Sequence, residues 1–420
     1  MTTEEIRPHR LHWFALILLV ISVCINYIDR GNLGVAAHAI AAELKFKPER
    51  LGILLGSIFW TYSLGQLVAG KIIDRWNVNW AYAIGFFAWS AATALTGIAS
   101  SFVAIFFLRL ILGGAESIAY PAYSKIIATT FPEHLRGTAN ALIDAGSKVG
   151  PALGVLLGVK IINAYSWRDM FLGIGGLSLL WLVPWLFIVP RLPAARYAVL
   201  AARSPDYAEL LGKRAVWGTV LGLFGGNYLW YFFLTWLPYY FESERHYSKN
   251  QLALFASLPF WAVAISSMLF GLLADWFIRR GYPAGRVRQT FVSVGLIGCC
   301  IFTLPAVLVV QPWACTVLIV LSSICMAGFS SNHWAFAQFL SGPEAAGKWT
   351  GLENCIGNFA GVVAPYLSGL AVQWTDSFVS AFVLASIASL MGVFGFWFVV
   401  GQPARVRWKA GAPVAAAAPF

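Results

Sequence analysis

Eight ionisable side chains sit inside otherwise apolar stretches of this 420-residue chain: Asp29, Arg30, Arg109, Glu116, Lys125, Asp144, Lys148 and Glu353. A charge at the centre of a bilayer costs about 2.5–3.5 kcal/mol even on a lenient scale, so in membrane-crossing stretches these groups must face partners or a water-filled cavity. Four acids and four bases balance, which suits mutual pairing, and all but Glu353 lie in the first half of the chain. Arg109 and Glu116 are seven apart and share a helix face, while the neighbours Asp29 and Arg30 point about 100° apart. Carboxylates beside an arginine change protonation as their surroundings open and close, so Asp29 and Glu116, tuned by Arg109, could form a proton relay. A permanently ionised network that only fixes helix packing is the alternative. Arg30, Lys125 and Lys148 could hold a carboxylate, the guanidinium through two parallel bonds and an ammonium as a point charge. Lys148 follows Asp144 by four residues, so a self-contained ion pair is equally open. Lys125 lies near the end of its apolar run, where a lysine also reaches toward the interface, and Glu353 reads as structural.

The elements that must position these groups are membrane helices. With 59% apolar and 11% charged side chains, the chain has too little polar surface for a soluble globule of its size. Apolar runs of about 20 residues select helices, and nothing alternates as a membrane barrel demands. Approximate spans fall at 12–36, 50–73, 79–99, 102–131, 137–164 and 169–190, then at 215–241, 251–276, 288–310, 312–340, 347–373 and 377–401. The first run continues into Asn26-Tyr27-Ile28-Asp29-Arg30 without a cleavage site, so it reads as a span and not a signal peptide. The organisation expected is an N-terminal six-helix bundle (1–190), a linker (191–213), a C-terminal six-helix bundle (214–401) and a tail (402–420), an all-α membrane protein of twelve helices. Of the 29 basic residues, four are interior; eighteen fall on the side of the termini and the linker and seven on the other. By the positive-inside rule both termini are cytoplasmic. That topology explains the net charge of +11, and basic residues scattered over short loops exclude a nucleic-acid role. The six cysteines lie in apolar segments without the paired spacing of a zinc site, so no metal is expected.

The halves echo each other. Gly70-x-x-x-Asp74-Arg75 recurs 201 positions later as Gly271-x-x-x-Asp275, followed by Arg279, and Gly146-x-x-x-Gly150 recurs as Gly357-x-x-x-Gly361. Equivalent landmarks in spans two and eight, and in five and eleven, indicate a duplicated six-helix unit. The ladder Gly146, Gly150, Gly154 and Gly158 predicts close approach of span five to a neighbour.

With these motifs the chain resembles the major facilitator superfamily, whose loop signature between spans two and three matches Gly70 to Arg75, although Trp76-Asn77-Val78-Asn79 replaces the usual glycine and basic residues. Asn26 to Leu33, Arg109-x6-Glu116, Pro121 to Pro132 and Phe233-Leu234-Thr235-Trp236-Leu237-Pro238 resemble the anion:cation symporter family, which carries sugar acids and other organic anions. The resemblance implies alternating access of two pseudo-symmetric bundles, with Asp29 and Glu116 as proton sites, Arg109 tuning them, and Arg30 as the anion anchor. It implies Tyr27, Tyr62, Ser147, Ser331, Trp334 and Asn354 as substrate contacts, and a cytoplasmic gate of Gly70, Asp74, Arg75, Gly271, Asp275 and Arg279. Asn227 and Asn358 join the pocket because a buried amide requires partners. Family members often carry a Gln near Leu223; this chain does not, and His333 beside Trp334 implies a differently shaped or less hydroxylated substrate. The expectation is therefore proton-coupled symport of an organic anion at the cell inner membrane by a monomer, with the proton as coupling ion and no cofactor. An anion exchanger is the runner-up. No HExxH, GxSxG or comparable cluster supports an enzyme.

Overall fold

The computed structural model describes residues 10–131, 133–191 and 205–409, apart from the side chains at 67, 70, 71, 74, 75, 128, 129, 133–138, 249, 343, 344, 346 and 347. Among the described residues there is no strand, and twelve long helices run back and forth. They are α1 (Arg10–Leu44), α2 (Pro48–Arg75), α3 (Val78–Thr96), α4 (Phe102–Ile127), α5 (Glu133–Ala164) and α6 (Trp167–Arg191). The second set comprises α7 (Arg214–Ser243), α8 (Asn250–Arg279), α9 (Ala284–Leu308), α10 (Pro312–Gly342), α11 (Lys348–Thr375) and α12 (Val379–Val400). Ten of these are, by length and composition alone, long and apolar enough to cross a membrane, and α2 and α3 complete the two sets of six. An even number of crossings puts the start of α1 and the end of α12 on one face, called here the terminal face.

Local signals set the helix ends. Ser101 starts α4 by accepting the Ala104 N–H at 3.2 Å, and Ser166 starts α6 by accepting that of Asp169 at 3.1 Å. Asn77, at the departure from the family loop signature, caps α3 by accepting the N–H of Asn79 at 3.0 Å. α1 runs on to Leu44, past the expected end at 36, because Ala36-Ala37-His38-Ala39-Ile40-Ala41-Ala42 is rich in strong helix formers. Between α10 and α11 the chain turns at Gly342, whose φ of 66° suits a residue without a Cβ.

The halves meet along three seams: α1 with α7, α2 with α11, and α5 with α8. Exchanging each helix with its counterpart six places on maps the α2/α11 seam onto the α5/α8 seam and α1/α7 onto itself, as the internal repeat requires. The seams are tight on the face opposite the termini. A Cβ at Gly34 of α1 would stand 2.6 Å from the Leu234 carbonyl oxygen of α7, and one at Gly52 of α2 would stand 2.5 Å from that of Pro365 on α11. There His38 Nδ1 lies 3.3 Å from Glu242 Oε1, and the Glu49 backbone N–H donates to Gln373 Oε1 at 3.3 Å. Nearer the terminal face the Asp144 carboxylate of α5 is 59% exposed. The glycine ladder packs α5 on α1, where a Cβ at Gly150 would stand 2.6 Å from the Cys24 carbonyl oxygen.

Of the expected linker, the segment Tyr207–Leu211 is a short helix, and residues 192–204 lie outside the described residues. The tail is tied down as far as Lys409: the Val406 N–H donates to the Leu340 carbonyl at 2.8 Å, and Trp408 Nε1 to that of Ser341 at 2.8 Å.

Candidate functional site

The middle of α1 and the middle of α4 bring the N-terminal charges together. Arg109 and Glu116 lie on the face of α4 that meets α1 and α2, and the residue between them that permits the approach is Gly113, where a Cβ would overlap the Ile58 carbonyl of α2. Thr61 Oγ1 secures the same contact by donating to the Leu110 carbonyl at 2.6 Å. Four residues after Ser117, Pro121 leaves that carbonyl without its helical donor, and the regular helix is interrupted just past Glu116.

Arg30 Nε donates to Glu116 Oε2 at 2.8 Å, with both side chains almost fully buried. The guanidinium carbon lies 4.7 Å from the centre of the Tyr27 ring and 4.2 Å from that of Tyr62, so two aromatic faces hold the cation where water is excluded. Arg30 Nη2 has no hydrogen-bond partner. Arg109 does not face either carboxylate with a hydrogen bond. Its Nη1 donates to the Asp29 carbonyl at 3.1 Å and its Nη2 to that of Arg30 at 3.4 Å, so it ties α4 to the α1 backbone. Asp29 is fully buried, and its Oδ1 accepts from Asn32 Nδ2 at 3.3 Å. The residue read as the anion anchor, Arg30, is thus the direct partner of Glu116, while Arg109, read as tuning the two carboxylates, bonds the backbone beside them.

From the other half, α7 and α11 present a chain of amides and a phenol toward this cluster. Tyr231 donates to Asn358 Oδ1 at 2.5 Å, Asn358 Nδ2 donates to Asn354 Oδ1 at 2.7 Å, and Asn354 Nδ2 donates across the α2/α11 seam to Gln66 Oε1 at 2.7 Å. The Tyr231 ring stands 4.2 Å from that of Phe59 on α2, which neighbours Tyr62. Asn227 supports the break in α11 by donating to the Gly357 carbonyl at 3.2 Å. Gln66 and Tyr231 were missed by sequence reasoning, yet each lies one helical turn after a residue that was named, Tyr62 and Asn227, and so on the same face.

Other candidates stand apart. Lys148 remains near its helical partner, with Nζ 3.8 Å from Asp144 Oδ1, and reaches across to Trp230 of α7 at 5.5 Å from the ring centre. Ser147 donates to the Asp144 carbonyl at 2.7 Å and Ser331 to that of Ala327 at 2.7 Å, both within their own helices. Lys125 is buried and donates to the Ile73 carbonyl at 2.5 Å near the end of α2, which makes it part of the terminal-face packing. His333 is also buried, pairing with Glu353 at 3.0 Å with Trp334 at its edge, so its imidazole does not line the central cluster. In the expected gate, Gly70, Asp74 and Arg75 belong to α2 by backbone, and their surroundings lie outside the described residues. Asp275 Oδ1 accepts from Arg288 Nη2 at 3.2 Å, whereas Arg279 is exposed and Gly271 has open space where a Cβ would stand. No cluster able to hold a metal occurs among the described residues.

Comparison with known proteins bears on the family and the fold. Residues 19–365 match the Major Facilitator Superfamily profile. The chain is 29% identical to an uncharacterized transporter, YybO, of Bacillus subtilis (strain 168), covering 97% of this chain and 98% of that one. It is 29% identical to a D-galactonate transporter of Escherichia coli O6:H1, covering 95% and 98%, and 26% identical to the probable galactarate/D-glucarate transporter GudP of Escherichia coli (strain K12), covering 97% of each. Among solved structures, an inward-facing, occupied bacterial homologue of the human lysosomal transporter Spinster superposes with a TM-score of 0.80 at 16% identity, over 94% of this chain and 98% of that one. This multi-pass integral membrane protein is a transporter and not an enzyme: the chain belongs to the Major Facilitator Superfamily.

Proposed function

We propose that the protein takes up a small organic anion of the sugar-acid type together with a proton, by alternating access of residues 1–190 against residues 214–401 about the linker 191–213. The observation that carries this reading is the buried bond between Arg30 and Glu116. A substrate carboxylate and the Glu116 carboxylate compete for one guanidinium, so protonating Glu116 releases Arg30, whose Nη2 already has no partner, to bind the anion. Proton and anion then enter the site together, and loss of the proton returns Arg30 to Glu116 and expels the anion. Asp29 is a second protonation site, and Arg109 holds the α1 backbone that carries both groups. Tyr27 and Tyr62 keep the cation in place in either state, while Asn354, Asn358 and Tyr231 meet the substrate's polar end. Relatives named for galactonate and for galactarate/glucarate support this substrate class.

With both termini cytoplasmic, as the charge distribution indicates, the terminal face is the inner one. The stitched face opposite is then the outer gate, so the state described is closed to the outside. The protein works as a monomer in the bacterial inner membrane, needs no cofactor beyond the proton, and has a small anion and the lipid bilayer as its partners.

Proteoliposome uptake of sugar acids, with and without an imposed pH gradient, tests this. Glu116→Gln is expected to abolish gradient-driven accumulation and spare exchange of labelled for unlabelled substrate. Wild-type uptake indifferent to both the gradient and a protonophore would replace symport with anion exchange. Equal loss of accumulation and exchange in Glu116→Gln would reduce the cluster to a packing element.

A further inference from the structure

The C-terminal half contains, among the described residues, a buried ionisable pair that the proposed cycle does not use. His333 of α10 and Glu353 of α11 are each 0% exposed, with Nε2 and Oε1 3.0 Å apart, and neither imidazole nitrogen and neither carboxylate oxygen has a hydrogen-bond partner. The imidazole is enclosed by Phe329, Trp334 and Phe396, at centroid distances of 5.3, 5.0 and 5.9 Å. Phe396 and Phe329 in turn lie flat where Gly222 and Gly226 of α7 leave room, since a Cβ at either glycine would enter the ring. The pair is thus sealed among aromatic rings.

Neighbouring charges are committed elsewhere. On α9, Arg288 bonds Asn332 and Asp275 of α8, and Arg286 bonds Gln289 and Gln402. On α7, Arg214 donates to the Phe398 carbonyl, and the Tyr231 hydroxyl is on Asn358. α12 presents Phe396, and on α11 the Lys348 ammonium donates to the Pro205 carbonyl.

We infer that His333 and Glu353 together form a further proton-carrying site, apart from Glu116 and Asp29, holding one proton between them in the state described and able to release it when α11 separates from α2. With that proton the pair is neutral overall, whether written as imidazolium and carboxylate or as imidazole and carboxylic acid. Without it, one carboxylate charge is left buried and uncompensated, which the sealed site penalises heavily. Release therefore requires water to reach the pair. The helix segment carrying Glu353 is the one that crosses the seam, because Asn354 bonds Gln66 and Cys355 Sγ donates to the Ser63 carbonyl at 3.6 Å. Parting those contacts admits water beside Glu353. No covalent bond changes; the proton passes from the pair to that water.

This inference rests on the proton-coupled reading, so its test counts protons. The proton-to-substrate ratio is measured from the pH gradient that just balances a substrate gradient in proteoliposomes, for the wild type, Glu116→Gln, the near-isosteric double variant His333→Gln/Glu353→Gln, and the swap His333→Glu/Glu353→His. Substrate exchange reports folding in every case. The expected result is a ratio one proton lower in the double variant, with exchange retained and the wild-type ratio restored by the swap. An unchanged ratio in the double variant overturns the His333–Glu353 site and leaves coupling at Glu116 standing. A wild type that exchanges substrate without moving protons overturns the coupled reading itself. Should the double variant lose exchange, Glu353→Gln alone supplies the same comparison, with the same two outcomes.

Discussion

The two halves of this molecule descend from one repeated plan, yet they bury charge in different ways. In the N-terminal half, Asp29, Arg30, Arg109 and Glu116 form a connected group in which arginines bond both a carboxylate and backbone carbonyls, and two tyrosine faces border the cluster. In the C-terminal half, His333 and Glu353 are alone together, enclosed by rings. The first arrangement ties its charges to backbone and to one another by hydrogen bonds, whereas the second holds two unbonded groups against each other. A duplicated fold can therefore assign the exchangeable ligand to one half while the other contributes amides, a phenol and a sealed pair, with the division set by a few side chains and not by topology.

The comparison is broken most severely at Arg30. Arg30→Ala leaves Glu116 buried without its partner, and removing one member of such a pair costs about 3–5 kcal/mol. Uptake should fall to background and the thermal midpoint of the purified protein should drop; wild-type-like uptake would remove Arg30 from the site. Gly113→Ala tests whether the N-terminal cluster depends on the close contact of α4 with α2. Overpacking of this kind costs about 1–3 kcal/mol, so stability and uptake should both fall, and a neutral result would show that α4 has room to shift. At the seam, Gln66→Leu removes the bond to Asn354 and leaves the amide to the C-terminal half. A lost hydrogen bond worth about 1 kcal/mol should shift the balance of inner-closed and inner-open states roughly fivefold, read as distances between spin labels at the terminal-face ends of α2 and α11. The smallest effect belongs to Lys148→Gln. If the lysine only pairs with Asp144, about 0.2–0.5 kcal/mol of helix stabilisation is lost and KM stays put, whereas a several-fold rise in KM would bring Lys148 into the substrate path.

Much of the fold was legible because lipid makes harsh demands on sequence: twelve apolar runs, the repeat and the glycine ladder all reappear as helices, paired halves and the α1–α5 contact. The interior charges were legible for the same reason, since so few exist. Their pairing was not. Whether Glu116 meets Arg30 or Arg109 depends on rotation of α1 against α4 by a fraction of a turn, and both arginines are within reach from spacing alone. Lys125 and His333 looked like ligands because they are polar residues in apolar surroundings; a carbonyl near the end of α2 and a glutamate on the next helix claim them instead. Asp275 and the nearby Arg279 were named together as gate residues, and the arginine that reaches Asp275 is Arg288, thirteen residues on and brought back by the α8–α9 turn.

The contact of Cys355 with the Ser63 carbonyl has a practical consequence. The thiol is 7% exposed and free, and it sits where the two halves touch. An alkylating reagent would meet it only in the moments when α2 and α11 part. The chain thus carries, without any engineered label, a chemical clock for its own opening: the rate at which Cys355 is modified counts how often the seam lets water in, and a substrate that holds the halves together should slow it.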